Sequence, residues 1–198
     1  ELDREDITQK IQALYEDGVE SLTVSLLNSY ANPKHEKEIR DIALFINPAI
    51  PVTISHDILP EFREYERTLT TVMNSYVRPP MQKYLTNIQE KLNNEQINSR
   101  ISIVRSDGGL MSIPAASERP VHTMLSGPSG GVTASAMIGQ QTGYRNIISF
   151  DMGGTSTDVS LTYDGKPKVS RETKVGVFPV KAPSLEVVSI GAGGGSIA

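Results

Sequence analysis

The densest chemistry in the chain lies in Asp151-Met152-Gly153-Gly154-Thr155-Ser156-Thr157-Asp158. An apolar strand pattern, Ile147 to Phe150, leads into this segment, and an alternating one, Val159, Leu161 and Tyr163, leads out. Gly153-Gly154-Thr155 is therefore expected to form a tight β-turn. Glycine lets the backbone take positive φ and lets a ligand approach the amides closely. Successive N–H groups in such a turn make an anion nest, to which Thr155, Ser156 and Thr157 add hydroxyl donors. Asp151 and Asp158 could then hold a magnesium ion beside a phosphate, because carboxylates repel phosphate unless a cation intervenes. The plain alternative is a hairpin turn that happens to be rich in Gly, Thr and Asp. A second cluster, Gly191-Ala192-Gly193-Gly194-Gly195-Ser196, would let two amide-rich turns grip one ligand from two sides, although glycine runs are also ordinary linkers.

Other motifs are weaker. No GxxxxGK[ST] occurs, since Gly165-Lys166 is followed by Pro167, and the Gly191 cluster lacks GxGxxG spacing. Gly127-Pro128-Ser129-Gly130-Gly131 matches GxSxG, but a nucleophile elbow needs a preceding strand and a later triad histidine. All three histidines, His35, His56 and His122, precede Ser129, so a helix N-terminus after a glycine-rich turn is the better reading. Ser106-Asp107-Gly108-Gly109 ends a strand, where ligands of open α/β sheets bind; a tight turn is the alternative. Glu64 and Arg67 sit three apart on an expected helix and read as an intrahelical pair. His122 reads as packing at a hinge.

Composition narrows the classes. The 198 residues carry a net charge of −4 and are 38% hydrophobic, enough for a real core and against a nucleic-acid or anionic-membrane partner. The chain has no cysteine, which removes thiolate metal sites, disulfides and a cysteine nucleophile, and fits a cytoplasmic setting. Apolar runs such as Ile42 to Ile46 fall far short of the roughly 20 residues of a membrane span. The chain starts at Glu1, without an initiator Met or a signal-peptide n-region, and reads as an internal or processed piece.

The elements that must position the glycine loops alternate in type. Ile7, Ile11, Leu14 and Tyr15 mark a helix over 3–17, with Asp3 as N-cap and Gly18 as stop. Leu22 to Leu26 reads as a strand, Asn32-Pro33 opens a second helix, and 52–58 reads as another strand. A long helical stripe from Leu69 to Leu92 should be kinked or split by Pro79-Pro80. Ile101 to Val104 is a short strand, a helix covers about 130–141, and Asp164-Gly165 signals a hairpin. This is α/β architecture with a parallel component.

At this point several stretches, taken together, carry a resemblance. They are Glu61-Phe62-Arg63-Glu64-Tyr65-Glu66-Arg67-Thr68, Tyr76-Val77-Arg78-Pro79, Ser106-Asp107-Gly108-Gly109, Ser126-Gly127-Pro128 through Val132, the Asp151 loop and Ile190 through Ser196. The Asp151 loop resembles the second phosphate loop of the actin-like ATPase superfamily. More narrowly, the set resembles the A subunit of the hydantoinase/oxoprolinase family, with Ser129 standing where that family usually has Ala. The resemblance implies a fragment of an actin-like, ribonuclease H-like α/β fold. Residues 1–112 would close the first lobe, 113–145 would hold a boundary segment and interlobe helix, and 146–198 would open the second lobe. It also implies ATP and Mg²⁺ as cofactors and a cyclic amide, such as 5-oxoproline or a hydantoin, or a ketone as substrate. A B-type hydantoinase subunit or domain would be the partner. Asp151 would act as magnesium organiser or base, Asp158 as second acid, and Gly153, Gly154, Thr155, Ser156, Thr157, Gly193, Gly194, Gly195 and Ser196 would line the nucleotide. The isolated piece, lacking an earlier phosphate loop before Asp151, is expected to be inactive, and a non-catalytic actin-like nucleotide switch is the competing class.

Overall fold

A computed structural model describes residues 1–197. Along the chain the elements are α1 (Arg4–Glu16), β1 (Leu22–Val24), α2 (Lys34–Ile46), β2 (Val52–Ile54), α3 (Ser55–Ile58), α4 (Glu64–Asn94), β3 (Ser102–Val104), β4 (Leu110–Ser112), α5 (Ile113–Glu118) and α6 (Ser126–Thr142). There follow β5 (Ile147–Met152), β6 (Thr157–Tyr163), β7 (Lys166–Pro167), β8 (Val169–Ser170), β9 (Thr173–Val175), β10 (Phe178–Val180), β11 (Ser184–Leu185) and β12 (Val187–Ile190). Two compact units emerge. One contains residues 1–99, 117–121 and 174–181; the other contains 100–116, 122–173 and 182–198. Both are cut differently from the three sequence-derived segments.

In the first unit β1 and β2 pair in parallel, Leu22 opposite Val52 and Val24 opposite Ile54. Helices α1 and α2 cover them through Ile11, Ile42 and Ala43, with Ile7, Tyr15 and Ile39 at the margin. Asp3 caps α1 as its residue type predicts, its Oδ1 accepting from the Asp6 amide at 3.1 Å. Asn32 caps from one position further out, accepting from the Lys34 amide at 3.1 Å. The strand expected over 52–58 ends at Ile54, and the chain turns at once into α3. Arg78 closes the open edge of β2: its Nη1 donates to the Val52 carbonyl at 2.9 Å, which keeps that edge from pairing with another strand. Burial holds this guanidinium below its ordinary pKa, with Glu118 opposing.

Helix α4 departs from its sequence pattern twice. It runs unbroken through Pro79-Pro80, where a kink or split was expected. The prolines remove the amides that would bond the carbonyls of Ser75 and Tyr76, and Tyr76 is exposed, so water can serve its carbonyl. The buried face is also polar. Arg67, Thr70, Thr71, Asn74 and Ser75 face inward, while Val72, Tyr76 and Tyr84 from the apolar stripe lie in the open. Each inward group has a partner. Ser75 Oγ accepts from Thr23 at 2.6 Å, Asn74 donates to the Glu118 carbonyl at 3.0 Å and accepts from the Val121 amide at 3.2 Å, and Thr70 accepts from the Lys181 amide at 3.0 Å.

Two buried charges organise the turns that follow β1 and β2. Glu36, fully buried, accepts from the Leu26 amide at 2.8 Å, Ser55 Oγ at 2.7 Å and the His56 amide at 3.0 Å. Arg67, also fully buried, donates from Nε to Ser55 Oγ at 3.2 Å, from Nη1 to the Glu61 carbonyl and from Nη2 to the Leu26 carbonyl, both at 2.9 Å. The pairing with Glu64 that spacing predicts is a longer 3.7 Å contact to a half-exposed carboxylate. Arg67 thus acts as a hub, spending its planar fork on three separate segments. Replacing Arg67 with Ala would take the donor from Ser55 Oγ and from the Glu61 and Leu26 carbonyls, and unfolding in urea should become easier by about 3–5 kcal/mol, roughly 1–1.5 kcal/mol for each lost bond. Arg67→Lys should recover little of this, since one ammonium cannot reach three acceptors; full recovery by Lys would refute the hub.

In the second unit β5, β6 and β12 form an antiparallel sheet in the order β12-β6-β5, with β7 folding back on β6 through Asp164-Gly165. Both turn residues have positive φ, +51° and +74°, the hairpin geometry read from the sequence. The face of this sheet that α6 covers is the polar one, carrying Ser149, Asp151, Asp158 and Ser160. Ile148, Phe150, Met152, Leu161 and Val188 on the other face are exposed. The cause lies in the composition of α6, whose Gly, Ala and Ser residues let its backbone come close. At Gly139 a Cβ would fall 2.7 Å from the Tyr144 carbonyl oxygen as well as against Ile147 Cδ1, so a side chain there would force the backbone to shift.

Candidate functional site

The β5–β6 ladder places the two candidate acids. Asp151 pairs with Asp158, one step from the end of the hairpin, and directly opposed residues of an antiparallel pair point to the same face. Two carboxylates are therefore held side by side. Asp158 Oδ1 accepts a hydrogen bond from Ser189 Oγ of β12 at 2.5 Å, which fixes its rotamer. Among the described residues none hydrogen-bonds the Asp151 carboxylate.

The turn beyond them is closed by the Gly153 amide, which donates to the Ser156 carbonyl at 2.9 Å. That leaves the amides of Gly154 and Thr155 and the hydroxyls of Thr155 and Ser156 without a partner among the described residues, at the tip of the hairpin, where Gly154 and Thr155 are exposed and Ser156 is half-buried. Such a row of unpaired donors beside two acids is the composition of an anion nest with a cation position next to it. Among the described residues no three His, Asp or Glu side chains come together as a metal group. Two carboxylates with the rest of the shell from water and phosphate oxygens is how Mg²⁺ is usually held, so the residues present fit that ion.

The second glycine cluster comes to the first. The Gly194 amide donates to the Gly153 carbonyl at 2.9 Å and the Gly195 amide to the Gly154 carbonyl at 2.8 Å, while Thr157 Oγ1 donates to the Ala192 carbonyl at 2.6 Å. Ser196 Oγ accepts from the Gly193 amide at 2.9 Å. The Gly194 and Gly195 amides and the Thr157 hydroxyl thus brace the turn, the Gly193 amide is used within its own loop, and the outward donors belong to Gly154, Thr155 and Ser156. A Cβ at Gly193 would sit 2.6 Å from the Gly153 carbonyl oxygen, so the bracing contact requires glycine.

Ser106-Asp107-Gly108-Gly109 is the turn of the β3–β4 hairpin, and its polar groups are used within it and beneath it. Asp107 Oδ1 accepts from the Gly109 amide at 3.0 Å and its Oδ2 from Arg105 at 2.7 Å. Buried Ser106 accepts at Oγ from the Leu125 amide at 3.0 Å and at its carbonyl from Ser129 Oγ at 2.5 Å. The Ser129 hydroxyl is therefore committed to structure. Asp151 lies against Gly131, two residues along α6 and some 200° around it, so helix geometry keeps the 106–109 turn and Asp151 on different sides of α6. His56 Nδ1 lies 2.9 Å from the Ser29 carbonyl, a strand-end role. A groove of about 490 Å³ in the first unit, lined by Arg40, Asp57, Arg78 and Arg119, holds none of the sequence-derived site residues. Nothing in residue spacing pointed to Gly131, because close approach between distant segments leaves no local pattern.

A strand–turn–strand opposes two acids beneath a doubly glycine-braced tip, in an α/β chain, an arrangement with the donors to receive a phosphate. The comparisons with known proteins make this specific. The hydantoinase/oxoprolinase family model matches residues 67–198, and the model of that family's N-terminal region matches residues 1–46; the chain belongs to the hydantoinase/oxoprolinase family. Relatives include the caprolactamase subunit alpha of Pseudomonas jessenii, 33% identical over 100% of this chain and 28% of its own length. The 5-oxoprolinase 1 of Arabidopsis thaliana is 34% identical over 98% of this chain and 15% of its own length. The chain superposes on the nucleotide-free acetone carboxylase structure with a TM-score of 0.85 at 31% identity, covering 97% of this chain and 27% of that one. For the ATP-dependent caprolactamase from Pseudomonas jessenii the TM-score is 0.84 at 33% identity, covering 100% and 29%. The chain thus spans under a third of the length of these relatives, and its α/β fold is one it shares with both solved structures.

The bracing makes a prediction. Gly193→Ala should speed amide hydrogen exchange at Gly194 and Gly195 by about tenfold or more, as their bonds to Gly153 and Gly154 open. Gly191→Ala, where a Cβ meets nothing within 4 Å, should leave exchange as it was. Equal exchange in the two variants would show that the loops do not depend on this approach.

Proposed function

We propose that this chain supplies one phosphate loop, half of the nucleotide site, of an ATP-dependent enzyme that opens cyclic amides of the hydantoin or 5-oxoproline type. The observation that carries the reading is the opposed pair Asp151 and Asp158 beside the free donors of Gly154, Thr155 and Ser156. Relatives named as 5-oxoprolinases and as an ATP-dependent caprolactamase support it. A second reading, an ATP-dependent ketone carboxylase, is supported by the relatives named acetone carboxylase beta subunit and acetophenone carboxylase gamma subunit. The two share one chemical need. A lactam carbonyl is a poor electrophile and a ketone a poor nucleophile until its oxygen, as amide or enolate, takes a phosphoryl group. Phosphoryl transfer is accomplished by positioning and charge neutralisation and needs no protein nucleophile.

In this reading the amides of Gly154 and Thr155 and the hydroxyls of Thr155 and Ser156 receive phosphate oxygens. Gly193, Gly194, Gly195, Ser196 and Thr157 hold the turn in shape. Asp151, with Asp158 beside it, would hold Mg²⁺, which when bound neutralises the phosphates. Ser189 keeps Asp158 from rotating away. Relatives that carry subunit names support a partner chain, for which we propose the B-type hydantoinase subunit, and the cytoplasm as the setting. No described helix is long and apolar enough to cross a membrane.

The test is phosphate release from Mg-ATP by the full-length protein with its B-type partner, in separate reactions with 5-oxoproline, hydantoin, caprolactam, and acetone plus bicarbonate. Stimulation by a lactam supports the amidohydrolase, stimulation by the ketone alone favours the carboxylase, and stimulation by none of them overturns both. In the stimulated reaction Asp151→Asn should lower turnover by about two orders of magnitude or more, the scale of losing a group that organises charge in the transition state. Turnover within twofold of wild type would remove Asp151 from the site.

A further inference from the structure

Helix α6 meets the candidate site at one residue. A Cβ built on Gly131 would lie 2.8 Å from Asp151 Oδ2, 3.6 Å from its Cγ and 3.8 Å from its Cβ. The whole Asp151 side chain therefore lies along the bare backbone of the second turn of α6, and the contact closes because Gly131 has no side chain. Gly127 and Gly130, in the same stretch, have open space where a Cβ would be. Helix propensity explains none of the three, since Ala would suit a helix better at each position. Open space gives no reason for glycine at 127 or 130, whereas the position of Asp151 gives one at 131.

The contact also settles how Asp151 is oriented. Asp158 is tied by Ser189, but Asp151 has no hydrogen bond to any of the described residues, so its rotamer is limited by what it packs against. On one side is the β5–β6 ladder, which fixes its Cα opposite Asp158. On the other is the Gly131 backbone, in the second turn of α6. A methyl group at 131 cannot share the space with Oδ2, and since Asp151 is the exposed, untethered partner, the carboxylate is what moves.

We infer that Gly131 is a positioning residue, whose missing side chain holds the Asp151 carboxylate where it can share a divalent cation with Asp158. This rests on the reading of Asp151 given above. Gly131 touches neither phosphate nor substrate in this account; it acts through Asp151 alone.

The test uses the full-length protein with its partner and compares Gly131→Ala, Gly130→Ala, Asp151→Asn and the double variant Gly131→Ala/Asp151→Asn. Three quantities are read: turnover of Mg-ATP, its half-saturating Mg²⁺ concentration, and direct Mn²⁺ binding in the presence of a non-hydrolysable ATP analogue, by loss of the free-ion paramagnetic resonance signal. Gly131→Ala should cut turnover about tenfold or more and weaken Mn²⁺ binding by a similar factor, the scale on which small misplacements of catalytic groups act. Gly130→Ala should stay within twofold of wild type in all three. In the double variant Gly131→Ala should add nothing to the loss caused by Asp151→Asn, because both act on one carboxylate. If Asp151→Asn is inactive while Gly131→Ala behaves as wild type, or if the two losses multiply, the inference about Gly131 is overturned and the reading of Asp151 survives. If Asp151→Asn itself keeps wild-type turnover and Mn²⁺ binding, the reading fails and takes the inference with it.

Discussion

An antiparallel ladder gives its residues no choice of neighbour. Because Phe150 pairs with Val159 and Met152 with Thr157, Asp151 must stand opposite Asp158, and two like charges directly across a strand pair repel by an amount on the order of 1 kcal/mol. The fold keeps this unfavourable arrangement and builds around it. Ser189 ties one carboxylate, Gly131 makes room for the other, and the Gly191–Ser196 loop clamps the turn from behind. A protein that needed only a hairpin here would have no reason to place two acids at the same rung. A cation shared between them would turn the repulsion into a binding site, and the free amides at the tip would receive the anion that such a cation accompanies.

The first unit shows a parallel economy with opposite signs. Glu36 and Arg67 are both fully buried, and each meets backbone and hydroxyl groups of the turns after β1 and β2, with Ser55 between them. Removing charges of this kind from water is costly unless nearly every polar atom finds a partner, and here nearly all do. What they secure is the shape of the loops at the carboxyl ends of two parallel strands, where open α/β sheets keep their working surfaces. The hydroxyl and amide groups of α4 serve the same end, tying that helix to β1 and to the 117–121 and 174–181 segments by directed bonds.

Much of this was legible in the residues, and the failures share a cause. The glycine loop between two strands, the Asp3 cap, the Asp164-Gly165 hairpin and the α/β class all follow from local pattern, and each appears in the structure. The stripe on α4 misled, since Arg67, Thr70 and Asn74 are buried and Tyr76 is not; periodicity reports apolar character and cannot see a polar residue that has found its partners. Pro79-Pro80 was expected to kink or split the helix; it is not split, because a helix anchored on both sides of the prolines tolerates the two missing bonds. The β5–β6 alternation located the strands, while α6 chose the polar face because glycine allows a closeness no hydropathy pattern records. Asp151, Asp158 and both glycine clusters were visible as types and spacings. That Gly194 and Gly195 brace Gly153 and Gly154, leaving Gly154, Thr155 and Ser156 to point outward, depends on contacts between distant segments and could only be seen once they met.

The central claim is that the Asp151–Asp158 hairpin tip holds a magnesium-bound phosphate. The most direct measurement is a crystal structure of the full-length protein with Mg²⁺ and a non-hydrolysable ATP analogue. The account predicts phosphate oxygens within hydrogen-bond distance of the Gly154 and Thr155 amides and the metal beside the Asp151 and Asp158 carboxylates, directly or through water. Phosphates and metal bound elsewhere, with this hairpin contacting neither, would contradict it.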